Sequence, residues 1–142
     1  MTTRLDSVEG DLADRIRAAS PERQRAAVAA AAEFVIGATG VSGDGVADAL
    51  NALQSGTADA DRQRRLDQLA ERLDDEAFDL QDAGRDEEYS ARFAQARAVS
   101  ALAYAFDPDA ETAALDGIYE ARATAPDGQR DGIIAAAAEQ LR

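Results

Sequence analysis

The chain has 142 residues and a net charge of -13, with neither Cys nor His. That length suits one domain that buries its core without disulfide or metal staples. The missing thiols and imidazoles exclude the serine triad and almost all zinc, haem, copper and iron–sulfur sites, leaving only carboxylate chemistry.

The opening stretch, MTTRLDSVEGDLADRI, has no apolar run beside positive charge. No segment approaches the roughly 20 apolar residues a bilayer span needs, so the expectation is a cytoplasmic protein. The acidity opposes direct contact with DNA, RNA or anionic membranes and favours a basic protein as partner. All positive charges are Arg, and Asp outnumbers Glu. A GC-rich genome or adaptation to salt accounts for that pattern without any partner.

Leu5, Val8, Leu12 and Ile16 recur at helical spacing and predict a first amphipathic helix over about residues 5–19, weakened at Gly10. Ser20 followed by Pro21 reads as the cap and first position of a second helix ending near Gly37 to Gly40. Its segment AAVAAAAEFVIGA is apolar on every side except at Glu33, which predicts a helix enclosed by neighbours. A buried lone charge is costly, so Glu33 is expected to pair with Arg92 or Arg97; the other reading is a functional acid with a raised pKa.

VSGDG reads as a turn, and Val46, Leu50 and Leu53 form the stripe of a short third helix stopped at Gly56. Thr57 is expected to cap a long fourth helix reaching about Asp82, with Leu66, Leu69, Leu73, Ala77 and Leu80 on one face. Asp86, Glu87 and Glu88 open the fifth, where carboxylates suit the positive end of the helix dipole. From Tyr89 through Phe93 to AVSALAYAF polar positions disappear, which sends the second half of that helix through the core. Asp107 and Pro108 repeat the cap-then-proline signal for a sixth helix carrying Leu115, Ile118 and Tyr119 and stopping before APDG. A last helix, from about Gln129 to the end, has Ile133, Ile134 and Leu141 on its apolar side. The predicted fold is an all-α compact bundle of six to seven helices in which the fourth and fifth form a long antiparallel hairpin. A short α-solenoid of stacked pairs is the alternative.

The densest charge lies in DDEAFDLQDAGRDEE. Its spacing does not match a calcium loop. Glu71 with Asp74, Glu76 with Asp79, and Asp116 with Glu120 offer loose carboxylate pairs for a magnesium site of the kind used by all-helical nucleotide pyrophosphohydrolases, but such spacings abound in any acidic helix. At about 100° per residue, Phe78 leaves the leucine stripe and points among Glu71, Asp74, Asp75 and Asp82. With Asp79, Asp86 and Glu87 nearby, this arrangement has the form of a binding hot spot, an apolar anchor inside a charged rim. The alternative covers Phe78 with a neighbouring helix.

The pattern therefore predicts no catalytic residue, resident metal or cofactor, and fixes no oligomeric state. Its leading reading is an inhibitor or immunity-type protein that blocks a basic toxin or nuclease. An adaptor with a merely solubilising acidic exterior and the magnesium enzyme are the alternatives.

Overall fold

The structure of the chain, a computed structural model, describes residues 2–125 and 128–142. Among these residues there are eight helices and no strand: α1 (Arg4–Val8), α2 (Gly10–Ala18), α3 (Pro21–Thr39), α4 (Asp44–Leu53), α5 (Ala60–Asp82), α6 (Asp86–Tyr104), α7 (Ala110–Thr124) and α8 (Arg130–Glu139). The all-helical class is as predicted, with one correction to the count: the expected first helix is two. Its chain breaks at Glu9, where the backbone leaves helical geometry (φ -144°, ψ 64°), beside the weak helix former Gly10. The break lets Leu5, Leu12 and Ile16 all reach the core while Val8 stays outside. It also places Glu9 3.2 Å from Arg122 on α7. Arg4 makes a second tie to α7, 3.4 Å from Glu120 and 4.4 Å from the centre of the Tyr119 ring.

The interior is built from small side chains. Helix α3, α7 and the second half of α6 pack against one another, and α8 lies on α3. Ala27, Ala31, Ala32, Ala98, Ala101, Ala113, Ala114 and Ala121 have no exposed surface. At the tightest point, a Cβ added to Gly117 of α7 would sit 2.5 Å from Val28 Cγ2 on α3 and 3.0 Å from Tyr104 Cβ on α6. The three backbones approach this closely because nothing larger than hydrogen stands between them.

Local polar groups then fix where each helix stops. The Ser20 hydroxyl accepts from the Arg23 N–H, as the cap-then-proline signal predicted. The buried Gln24 donates through Nε2 to the Ile16 carbonyl, 2.8 Å away, at the end of α2. Arg25 reaches from α3 to the carbonyls of Ala105, Asp107 and Pro108 at 3.3, 2.8 and 3.1 Å, satisfying acceptors left bare where α6 ends. Two predicted caps shift by two residues. Asp59, not Thr57, caps α5 by accepting from the Arg62 N–H, and Asp109, not Asp107, caps α7 by accepting from Thr112. A carboxylate accepts more strongly than a threonine hydroxyl, and Pro108 is followed by a second aspartate that does the work. Of the predicted APDG turn, Pro126 and Asp127 lie outside the described residues.

Helices α5 and α6 form the expected hairpin. Their far ends meet where the Asp59 N–H donates to the Phe106 carbonyl at 3.0 Å, and their near ends join through Gly84 at φ 75°. Only α6 is shared with the α3/α7 core, so the half of the hairpin next to its turn stands away from the other helices.

Two outcomes test this packing. Gly117→Ala should cost about 1–3 kcal/mol, because Val28 is branched at Cβ and Tyr104 Cβ is fixed to its backbone. Gly132→Ala meets only the Phe34 ring, at 2.8 Å, and that ring is part-exposed and able to swing. It should stay within about 1 kcal/mol of neutral, helix propensity offsetting the shift; urea midpoints that reverse this order would refute the close approach.

The second test concerns Asp6, which accepts from Arg17 at 2.6 and 2.8 Å and from the Thr3 amide and hydroxyl at 2.6 and 2.8 Å. The Arg17 guanidinium, then Thr3, hold its carboxyl well below the usual carboxylate range. A depressed folded-state pKa means the unfolded chain takes up the proton first, so the stabilisation is complete above about pH 4 and declines as pH falls further. The melting-temperature gap between the wild type and Asp6→Asn should accordingly narrow below about pH 4. A gap that stays constant from neutral to strongly acidic pH would contradict it.

Candidate functional site

The outward face of α5 follows from its inward one. Leu66, Ala70, Leu73 and Ala77 are buried against the fold, and the helical twist turns Phe78 about 110° away from that stripe, where it is 50% exposed. No neighbouring helix encloses it completely. Glu71, Asp75, Asp79 and Asp82 on α5, with Asp86 and Glu87 at the start of α6, are all exposed. None of these six carboxylates makes an ion pair among the described residues. Desolvation, and secondarily the neighbouring Glu71, push the carboxyl of Asp67 up.

Asp74 behaves differently from the other sequence candidates. It turns toward α6 and is ion-paired to Arg97, the two side chains being 23% and 26% exposed. Arg97 also lies over the Phe93 ring, 5.5 Å from its centre. One turn further out, Arg92 Nε lies 3.5 Å from Glu76. These arginines therefore knit the hairpin together and are not partners of Glu33. That expectation is corrected: Glu33 is exposed on α3 and accepts from Gln54 Nε2 at 3.2 Å. Alanine is equally at home inside and outside, so a helix that reads as apolar all round still has an outer stripe, and Glu33, with Glu22 and Gly37, marks it.

Helix α6 divides as its pattern predicted: its second half enters the core, and the aromatic groups of its first half lie nearer the surface. Phe93 is exposed, and its ring lies 5.9 Å from that of the half-buried Tyr89. The second half of α6, from Ala96 onward, is the part that enters the core.

The arrangement does not favour a metal. Among the described residues no group of three or more acidic side chains converges on a common point. Asp74, Glu76 and Glu120, three members of the proposed magnesium pairs, each face an arginine instead. The surface presents an aromatic ring within a field of unneutralised carboxylates.

The division between structural and free groups has measurable consequences. Arg97→Met should cost about 1–2 kcal/mol, less than a fully buried pair because both groups keep water contact. Phe78→Ser should stay within about 0.5 kcal/mol of the wild type, as for surface substitutions. Denaturant titration decides it, and a large loss at Phe78 would make the ring a packing element. No family model, curated protein or solved structure matches the chain.

Proposed function

We propose that this chain is an acidic protein-binding protein that docks on a basic partner through the outward face of the α5/α6 hairpin. In the most specific form of the proposal, it acts in the cytoplasm as an inhibitor or immunity-type protein that covers the basic active site of a toxin or nuclease. The observation that carries the reading is the half-exposed ring of Phe78 among six carboxylates without ion-pair partners. Burying such a ring contributes about 1.5–3 kcal/mol on association, while the carboxylates set orientation and raise the encounter rate. Carboxylates in that number also occupy positions where a nuclease binds phosphate. No described helix is long and apolar enough to cross a membrane.

The competing reading, an adaptor whose acidity serves only solubility, differs in one respect: it gives Phe78 no role. A photo-crosslinking amino acid at position 78, introduced in the source cell, should capture a basic protein. Combined Asp75→Lys, Asp79→Lys and Asp82→Lys substitutions should abolish the adduct, and raised salt should slow association by roughly tenfold or more. Absence of any adduct above that from a crosslinker at Arg64, or an adduct indifferent to the charge reversal, would count against the proposal.

A further inference from the structure

The charge of α5 is uneven along its length. Beyond Leu73 its ionisable residues are all acidic, whereas the stretch before Leu73 sets Arg62, Arg64, Arg65 and Arg72 against Asp61, Asp67 and Glu71 and is close to neutral. Three of these arginines, Arg62, Arg65 and Arg72, line a cleft of about 660 Å³ between α5 and the start of α4. Elsewhere the arginines are mostly spent on internal ties, as at Arg4, Arg17, Arg25, Arg97 and Arg122. Arg65 and Arg72 instead make no ion pair or hydrogen bond among the described residues, although Asp44 and Asp48 border the same cleft. Arg62 is held in place by Asp59 at 3.6 Å and by the Phe106 ring at 5.6 Å, and its buried Nε has no hydrogen-bond partner.

The rest of the cleft complements those cations. Leu66 and Leu69, from the same helix, and Val46 of α4 give it an apolar floor. On the far side, Gly43 precedes α4 with no side-chain oxygen to cap its first amides. Gly45, one residue into α4, has φ outside the left-handed range, and a Cβ there would meet nothing within 4 Å. Packing thus does not require glycine at 45, and its absence of a side chain keeps the backbone open toward the cleft. Arg65 and Arg72, seven residues and about 10 Å of helix axis apart, stand two turns apart on one side of α5, so both side chains border the cleft.

We propose that the α4/α5 cleft binds a phosphorylated small molecule, its phosphate held by Arg65, Arg72 and Arg62 and its apolar body resting on Leu66, Leu69 and Val46. The site does not involve Phe78 and needs no protein partner to form, although Arg65 and Arg72 also border Glu71 and Asp75 of the acidic face. Calorimetric titration at low salt with phenyl phosphate as probe should give saturable binding, with inorganic phosphate weaker and phenol undetectable. Arg65→Ala combined with Arg72→Ala should weaken phenyl phosphate by about tenfold or more, and Arg65→Lys should weaken it by less, retaining charge without the fork. Leu69→Gln should weaken phenyl phosphate while leaving inorganic phosphate unchanged. Arg64→Ala should have no effect, because Arg64 points away and pairs with Asp61 at 3.1 Å. The exposed Arg65 and Arg72 are not packing elements, and circular dichroism of their variants should match the wild type. No saturation with phenyl phosphate, equal loss in Arg64→Ala, or unaltered affinity in the double variant would overturn the site.

Discussion

Everything else in this molecule depends on how closely α7 lies against α3 and α6. With a hydrogen atom at Gly117 where any other residue has a carbon, and alanines on the facing surfaces, three backbones come within a distance that larger side chains forbid. Such packing gains its stability from many short dispersion contacts, with few large apolar groups. Among the described residues Phe106 is the one fully enclosed aromatic ring, and it sits just past the end of α6, not at the centre. A core of this type tolerates little change in volume, and it holds the second half of α6 rigidly enough to carry the hairpin beyond it.

The charge distribution follows from that anchoring. A chain at -13 must either neutralise its carboxylates internally or place them where water screens them. Here the arginines do the first at structural joints. Arg17 binds Asp6 and orders the amino-terminal turn, Arg122 binds Glu9 at the α1/α2 break, Arg25 closes the end of α6, and Arg97 binds Asp74 between the hairpin helices. Each uses the fork of the guanidinium or its reach across elements, which explains why arginine serves here without lysine. Of the carboxylates left over, Glu71, Asp75, Asp79, Asp82, Asp86 and Glu87 share the hairpin, and others, such as Asp11, Glu22, Asp48 and Asp131, lie on the remaining helices. The local density on the hairpin is thus partly a result of where the fold could afford repulsion, and Phe78 is the residue that repulsion alone does not explain.

Much of the architecture was legible from residue spacing, because leucines and caps carry direct physical signals. The Ser20–Pro21 start, the Leu66 to Leu80 stripe and the Gly84 turn each specify a backbone geometry with few alternatives. What was not legible came from two sources. Alanine carries no burial preference strong enough to orient a helix, so the outer stripe of α3, and with it the exposure of Glu33, was invisible. Side-chain partners across elements are tertiary facts. Nothing in the local sequence distinguishes Asp74, tied to Arg97, from Asp75, which is free. The break at Glu9 is an intermediate case: Gly10 weakened the helix legibly, but only the reach of Arg122 from α7 shows why the chain turns there.

The two ends of α5 illustrate why one helix can present surfaces of opposite character. Arg65 and Asp79 are separated by about 21 Å of helix at 1.5 Å per residue. At physiological ionic strength the screening length is about 8 Å, so the potential at either end is set by its own residues. The field of the acidic tip therefore does not repel an anion from the α4/α5 cleft, and the cleft does not neutralise the tip. The exception is the middle of the helix, where Arg72 lies within one turn of Asp75 and the two fields meet. Any influence of one surface on the other must pass through that turn or through movement of α5 as a rigid rod. Its attachment to α6, by Asp74–Arg97 and by the Asp59 to Phe106 bond, resists such movement.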